Sequence, residues 1–85
     1  MEKRYAIDVE ADVLRDNINN LVANFMRYVI ENNINRREDK ENPVVIKYEE
    51  TYRLMESTYR MKEYEEIDAA QKKLDELWRF YNGIL

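Results

Sequence analysis

The side chains available for chemistry in this 85-residue sequence are carboxylates, guanidiniums, amines and phenols, because it contains neither histidine nor cysteine. It therefore has no thiol nucleophile, no imidazole to act as acid or base, and no soft metal ligand. The acidic run at residues 63–68 lacks the glycine and the oxygen spacing of a calcium-binding loop. We expect no enzymatic activity, no catalytic residue, no metal and no cofactor.

The charge balance bears on the class of partner. Fourteen basic residues against 18 acidic ones give a net charge of -4 and an isoelectric point near 4.9. A protein that binds nucleic acid by neutralising phosphates carries the opposite charge, so we do not expect nucleic acid as a partner. The one adjacent arginine pair, Arg36-Arg37, is followed by Glu38 and Asp39, which is typical of a solvated pair.

Hydropathy indicates in which cellular compartment the protein is expected. No apolar run approaches the roughly 20 residues that a membrane-spanning helix needs. The first residues are charged rather than apolar, unlike a secretory signal. We expect a cytoplasmic protein that does not contact the membrane.

A single glycine and a single proline favour an all-α fold, because an all-β domain needs many tight turns. Apolar residues recur every three or four positions from Leu14 to Val29 and predict a first helix at about 9–33, with Asp8 as its N-cap. The alternation of Tyr5, Ile7 and Val9 favours a short extended arm at 1–7 as the alternative start. Residues 34–43 are polar, end in Pro43 and predict a loop.

The second half of the chain allows two arrangements. An apolar stripe that is largely tyrosine predicts a helix at about 44–63, and Glu63 then interrupts the stripe. Asp68 and Gln71 resemble a capping box, so a third helix at about 68–82 is expected, with Asn82-Gly83 as its stop. Residues 1–85 would then form one three-helix bundle. The alternative is a two-helix hairpin whose long second helix, about 44–82, dimerises.

The candidate partner-binding residues lie where apolar surface exceeds what one packing neighbour can cover. Met26 and Ile30 leave the main face of the first helix, and Leu54 and Met61 leave the tyrosine face of the second. Aromatic side chains are enriched at interfaces, although tyrosines at the edge of a small core would give the same pattern. The predicted partner-binding set is Met26, Ile30, Leu54, Met61, Tyr48, Tyr52 and Tyr59.

Two short stretches resemble known families. Leu14-Arg15-Asp16-Asn17-Ile18 resembles the opening pattern of the helical chorismate mutases, which implies Arg15 as an active-site arginine. The pattern departs at Asn19, in place of the usual acid, and at Asn32, in place of a second arginine. Leu74-Asp75-Glu76-Leu77 with Tyr81 is similar to the second helix of the small sporulation-type aspartyl-phosphate phosphatases, and of that family's polar residues only Asp75 matches.

From these observations we predict a small cytoplasmic interaction or regulatory module of phage or low-GC bacterial origin. It would bind a larger host protein through a helical face. A homo-oligomeric structural protein, most simply a homodimer, is the second hypothesis. An arginine-dependent helical enzyme of the chorismate-mutase type is the third.

Overall fold

The computed structural model describes residues 3–85, with side chains from Ala6 onwards, and shows three helices. They are α1 at Lys3–Glu31, α2 at Pro43–Ser57 and α3 at Tyr64–Ile84, with a short 3-10 turn at Thr58–Arg60 directly after α2. No strand occurs within residues 3–85, so the predicted all-α three-helix bundle is confirmed. The molecule measures 48 × 23 × 17 Å, and its long axis matches the roughly 43 Å expected for the 29 residues of α1.

α1 begins earlier than predicted. Residues 3–7 are helical rather than an extended arm, while residues 1 and 2 of that predicted arm lie outside the described range. Ile7 and Ala11 are both buried and continue the stripe of Leu14 and Ile18 towards the amino terminus. Asp8 is consequently an exposed interior residue of α1 and not its N-cap.

α1 ends at a residue in the left-handed conformation. Asn33 has φ 54°. Its amide donates to the carbonyl of Ile30 at 3.2 Å, and the next amide, from Ile34, donates to the carbonyl of Val29 at 2.9 Å. This pair of bonds is the Schellman motif, with asparagine in the position that glycine usually occupies. α1 therefore ends at Glu31, and Ile34 packs against the core just beyond it.

α2 begins where proline and asparagine favour a start. The Asn42 side chain accepts a hydrogen bond from the amide of Val44 at 2.9 Å, and Pro43 occupies the first turn, where its missing amide costs nothing. Residues 32–42 between the helices contain only turns and irregular backbone. Asn35 holds this loop together by accepting from the amides of Arg37 at 2.9 Å and Glu38 at 3.2 Å.

The chain breaks between α2 and α3 earlier than predicted, at residues 58–63 rather than 63–67, and the long continuous helix is not formed. Ser57 and Thr58 donate their hydroxyls back to the carbonyls of Leu54 and Met55 at 2.6 Å each. Such bonds compete with the helical ladder. The chain is then extended at Glu63, the N-cap residue of α3.

α3 differs from its prediction at both ends. Asp68 lies in its second turn and not at a cap, while Glu65 and Glu66 occupy the first turn, where a helix dipole favours acidic groups. The helix continues through Gly83 to Ile84, and Gly83 does not adopt a positive φ. Ile84 packs against the core and thereby anchors the last turn.

The core lies along the line where the three helices meet, with Phe25 of α1 fully buried near its centre. The Phe25 ring makes edge contacts with Tyr81 of α3 at 5.2 Å and with Tyr48 of α2 at 6.5 Å between centroids. Such contacts add to the stabilisation from apolar burial. The only buried polar side chains among those described are Thr51 and Thr58, and both hydroxyls have hydrogen-bond partners.

An ion pair joins α2 to α3. The Glu50 carboxylate lies 3.3 Å from the amine of Lys47 and 3.5 Å from that of Lys73. Burial raises the pKa of Glu50, but the hydrogen bonds and positive charges of Lys47 and Lys73 outweigh it and hold that pKa below its ordinary value.

Candidate protein-binding surface

The seven predicted partner-binding residues fall into two groups. Tyr48 and Met61 are buried, with 3% and 9% of their surface exposed, and Leu54 packs partly buried against the core. The chain itself covers Tyr48 and Met61 and covers Leu54 in part, so these three side chains are less exposed than expected, and their role in partner binding stays a prediction. The exposed fractions of the others are 44% for Met26, 67% for Ile30, 45% for Tyr52 and 68% for Tyr59.

Three of the exposed residues lie along one shallow groove between α1 and α2. Met26 and Ile30 are one helical turn apart on α1, and each lines a depression together with Glu49 of α2. Tyr52 lies one turn beyond the buried Tyr48 on α2, at the edge of the buried arc. We call this surface the α1–α2 groove and define it by its lining, which is Met26, Val29, Ile30, Asn33, Ile34, Asn35, Arg36, Arg37, Lys40, Tyr48, Glu49, Tyr52, Arg53 and Glu56.

The loop end of the groove carries cations on an ordered backbone. The guanidinium of Arg36 lies over the ring of Tyr48, 4.8 Å from its centroid, so this arginine is not merely solvated as the sequence indicated. The amide of Asn35 donates to the Asp39 carboxylate at 3.2 Å, and this hydrogen bond helps to order the loop. A cation on an ordered loop loses little further conformational entropy when it binds a partner.

Outside the groove, at the 3-10 turn, Tyr59 is exposed but held in place. Its ring stacks on the guanidinium of Arg15, 3.8 Å from the ring centroid. Arg15 is fixed in turn, since its Nε donates to Thr58 Oγ1 at 2.7 Å and it also pairs with Asp12 at 2.6 Å. Arg15 therefore links α1 to the 3-10 turn.

The charges at the α1–α2 groove are mixed. Its lining includes four basic residues, Arg36, Arg37, Lys40 and Arg53, and two acidic residues, Glu49 and Glu56. The loop that supplies three of these basic residues also carries the exposed Glu38, Asp39 and Glu41. Sequence reasoning did not identify this group of residues, because they share a surface only after the chain folds.

The side chains exposed at this surface are apolar, aromatic and charged. Within the described part of the chain no group of three or more acidic side chains could hold a metal ion. No helix among residues 3–85 combines the length and the apolar character required to span a membrane. Exposed aromatic and apolar side chains beside arginines are the composition of protein interfaces.

Comparison with known proteins identifies the family to which this chain belongs. The family model described as bacterial epsilon antitoxin matches residues 3–84, and the chain belongs to this family. Neither the curated proteins nor the solved structures provide a match. Membership of an antitoxin family agrees with the predicted small protein-binding module and favours it over an enzyme of the chorismate-mutase type.

Proposed function

We propose that this member of the bacterial epsilon antitoxin family is an antitoxin that binds a toxin protein and suppresses its activity by forming the complex. The observation that carries the proposal is the extent of the family match, which spans all three helices from residue 3 to residue 84. The fold supports it, because a bundle with one small core and exposed apolar side chains at Met26, Ile30 and Tyr52 is suited to binding.

The predicted homodimer stays a second hypothesis, with a changed interface. Met61 is buried and Leu54 is partly buried against the core, so these two side chains do not form the fully exposed stripe from which the dimer was predicted. A dimer would have to use other exposed apolar residues. A cytoplasmic location and a phage or low-GC bacterial origin also stay predictions.

The proposed function is tested in two steps. The tagged chain first captures its partner from source cells, and mass spectrometry identifies that partner. The captured protein is then expressed in a bacterial host alone and together with the chain. We expect it to arrest growth when alone and the chain to restore growth. As a control, Phe25→Asp, which places a charge in the centre of the core, should express without restoring growth.

The proposal is wrong if no captured protein arrests growth. It is equally wrong if the folded wild-type chain, present at the same level as the toxic protein, fails to restore growth. Circular dichroism of the purified chain establishes that it is folded in the second case.

A further inference from the structure

We propose that Met26 is a redox-sensitive modification site, whose thioether a hydroperoxide oxidises to the sulfoxide while the fold stays intact. The chain contains four methionines and no cysteine, so its reversible oxidation chemistry belongs to the thioethers. Met26, Met55 and Met61 lie among the residues whose side chains the structure describes. The site is independent of the proposed function, because the reaction needs only the folded chain and the oxidant.

Exposure ranks the three described methionines. Met26, on α1, has 44% of its surface exposed, whereas Met61 has 9% exposed and belongs to the core. Met55 lies between these extremes, partly buried against the core. A peroxide must reach the sulfur from the solvent, so susceptibility follows exposure. Met26 is therefore the first of the three to be oxidised.

The reaction transfers one oxygen atom to sulfur. A lone pair of Met26 Sδ attacks the oxygen of the hydroperoxide that bears the hydrogen, so that an S–O bond forms as the O–O bond breaks. The proton of the transferred oxygen moves to the leaving oxygen, which departs as water when the oxidant is hydrogen peroxide. Sulfur loses two electrons and the peroxide gains two. Methionine sulfoxide reductases reverse the modification.

The surroundings of Met26 accept the polar product. Met26 lines the same depression as Arg36, Tyr48 and Arg53. Guanidinium N–H groups are hydrogen-bond donors and the sulfoxide oxygen is an acceptor, so the depression offers donors to the oxidised side chain. Because Met26 is exposed, water can also solvate the sulfoxide, and its oxygen is not buried without a partner. Oxidation thus places a polar group in the α1–α2 groove without opening the core.

Oxidation of Met61 would have the opposite effect on folding. Met61 follows the 3-10 turn, and its side chain packs in the core formed by all three helices. A sulfoxide oxygen there would be buried among apolar side chains, which destabilises the fold. A peroxide also reaches Met61 only when the chain opens locally, so this reaction is slow in the folded protein. The fold therefore separates a tolerated oxidation at Met26 from a damaging one at Met61.

The test treats the purified full chain with hydrogen peroxide and quantifies the sulfoxide at each described methionine by peptide mass spectrometry over time. We expect Met26 to oxidise at least about tenfold faster than Met61 and at least about threefold faster than Met55. Once Met26 alone is converted, helicity should be unchanged, and Tm should stay within about 4 °C of that of the unoxidised chain. A methionine sulfoxide reductase should then restore the original mass.

Two matched variants and an unfolded sample serve as controls. Met26→Leu should remove the fast phase of oxidation and leave the chain folded, because leucine and methionine have similar volumes. Met55→Leu should leave the fast phase in place. In urea, where the chain is unfolded and burial is lost, the rates at Met26, Met55 and Met61 should agree within about twofold.

Four results would overturn the proposal. The first is that Met55 or Met61 oxidises as fast as Met26 in the folded chain. The second is that the sulfoxide at Met26 alone unfolds the protein. The third is that the reductase fails to restore the original mass. The fourth is that Met26 keeps its full lead in urea, because the order of oxidation would then come from the local sequence and not from the fold.

Discussion

At the scale of single residues, Arg15 of α1 binds Thr58 of the 3-10 turn, which lies 43 positions further along the sequence. Its guanidinium supports the ring of Tyr59 and donates to the hydroxyl of Thr58. Arg15→Ala should lower the free energy of unfolding by about 1–2 kcal/mol, because one hydrogen bond and one cation–π contact are lost. The loss stays modest because Thr58 still donates to the carbonyl of Met55. Denaturant unfolding measures it.

Arg27→Ala is the matched control, since Arg27 is exposed on the same helix. We expect that variant to unfold within about 0.5 kcal/mol of the wild type. Equal losses for both variants would mean that the Arg15 contacts contribute nothing specific.

Glu50 makes stability depend on pH. Its pKa in the folded chain lies below the ordinary value of 4.5, because Lys47 and Lys73 outweigh the effect of burial. A depressed carboxyl pKa contributes stability above the unfolded pKa, and this contribution is lost as pH falls through the folded pKa. Glu50→Gln should therefore lower the Tm at neutral pH, and this deficit should shrink as pH falls through the folded pKa of Glu50.

Glu38→Gln, at an exposed position in the loop, provides the comparison. Thermal melts of wild type and both variants across pH give the measurement. A Glu50→Gln deficit that persists unchanged at low pH would show that the side chain contributes packing and not charge.

At the scale of elements, the end of α1 depends on a left-handed residue that is not glycine. Asn33→Gly should stabilise the protein by up to about 1 kcal/mol, because glycine adopts this conformation without a steric penalty. Asn33→Val should destabilise it by about 1–3 kcal/mol, because a β-branched side chain is strained there. Both values are read from denaturant unfolding.

Asn17→Val is the control for this prediction. Asn17 is exposed inside α1, and asparagine and valine have similar helix propensities, so the change should be nearly neutral. If Asn33→Val proved no more destabilising than Asn17→Val, the left-handed end would not be a strained position.

The helices also show which structural features the sequence predicts and which it does not. The three apolar stripes predict the three helices. Patterns of apolar residues nevertheless overlook Thr51, which can be fully buried because its hydroxyl donates to the Lys47 carbonyl at 2.7 Å. With Thr51 at the centre of the buried arc, Tyr48 lies inside it and Tyr52 at its edge. Tyr59 does not lie in this arc because α2 ends at Ser57. Spacing alone places Tyr48, Tyr52 and Tyr59 on one face.

The break between α2 and α3 was misplaced for a related reason. The sequence signal was Glu63 in the apolar stripe, whereas the helix ends at residues whose hydroxyls bond back to the preceding turn. The groove cations were missed because Arg36 and Arg53 come from opposite sides of Pro43 and meet only through folding. Which charges share a surface is a property of the tertiary structure.

At the scale of the whole molecule, the bundle is only 17 Å thick in its shortest dimension and has little interior. A substitution where the helices meet can therefore affect either folding of the chain or association between chains. Met61 follows the 3-10 turn, and its side chain belongs to the core formed by all three helices. Met61→Glu buries an unpaired carboxylate at a cost of several kcal/mol. Because small domains are stable by only about 5–15 kcal/mol, we expect loss of helicity and a greatly lowered Tm.

Met26→Glu makes the same substitution at an exposed methionine of the α1–α2 groove and should keep both helicity and Tm close to those of the wild type. Circular dichroism measures folding, and sedimentation velocity measures mass. If Met61→Glu instead remained helical and reduced a wild-type dimer to a monomer, Met61 would lie at an interface between chains, and the sequence-based prediction of self-association would replace the intramolecular core. Unfolding of Met61→Glu together with a monomeric wild type places Met61 in the core of a single chain, because an obligate dimer would also unfold when its interface is broken.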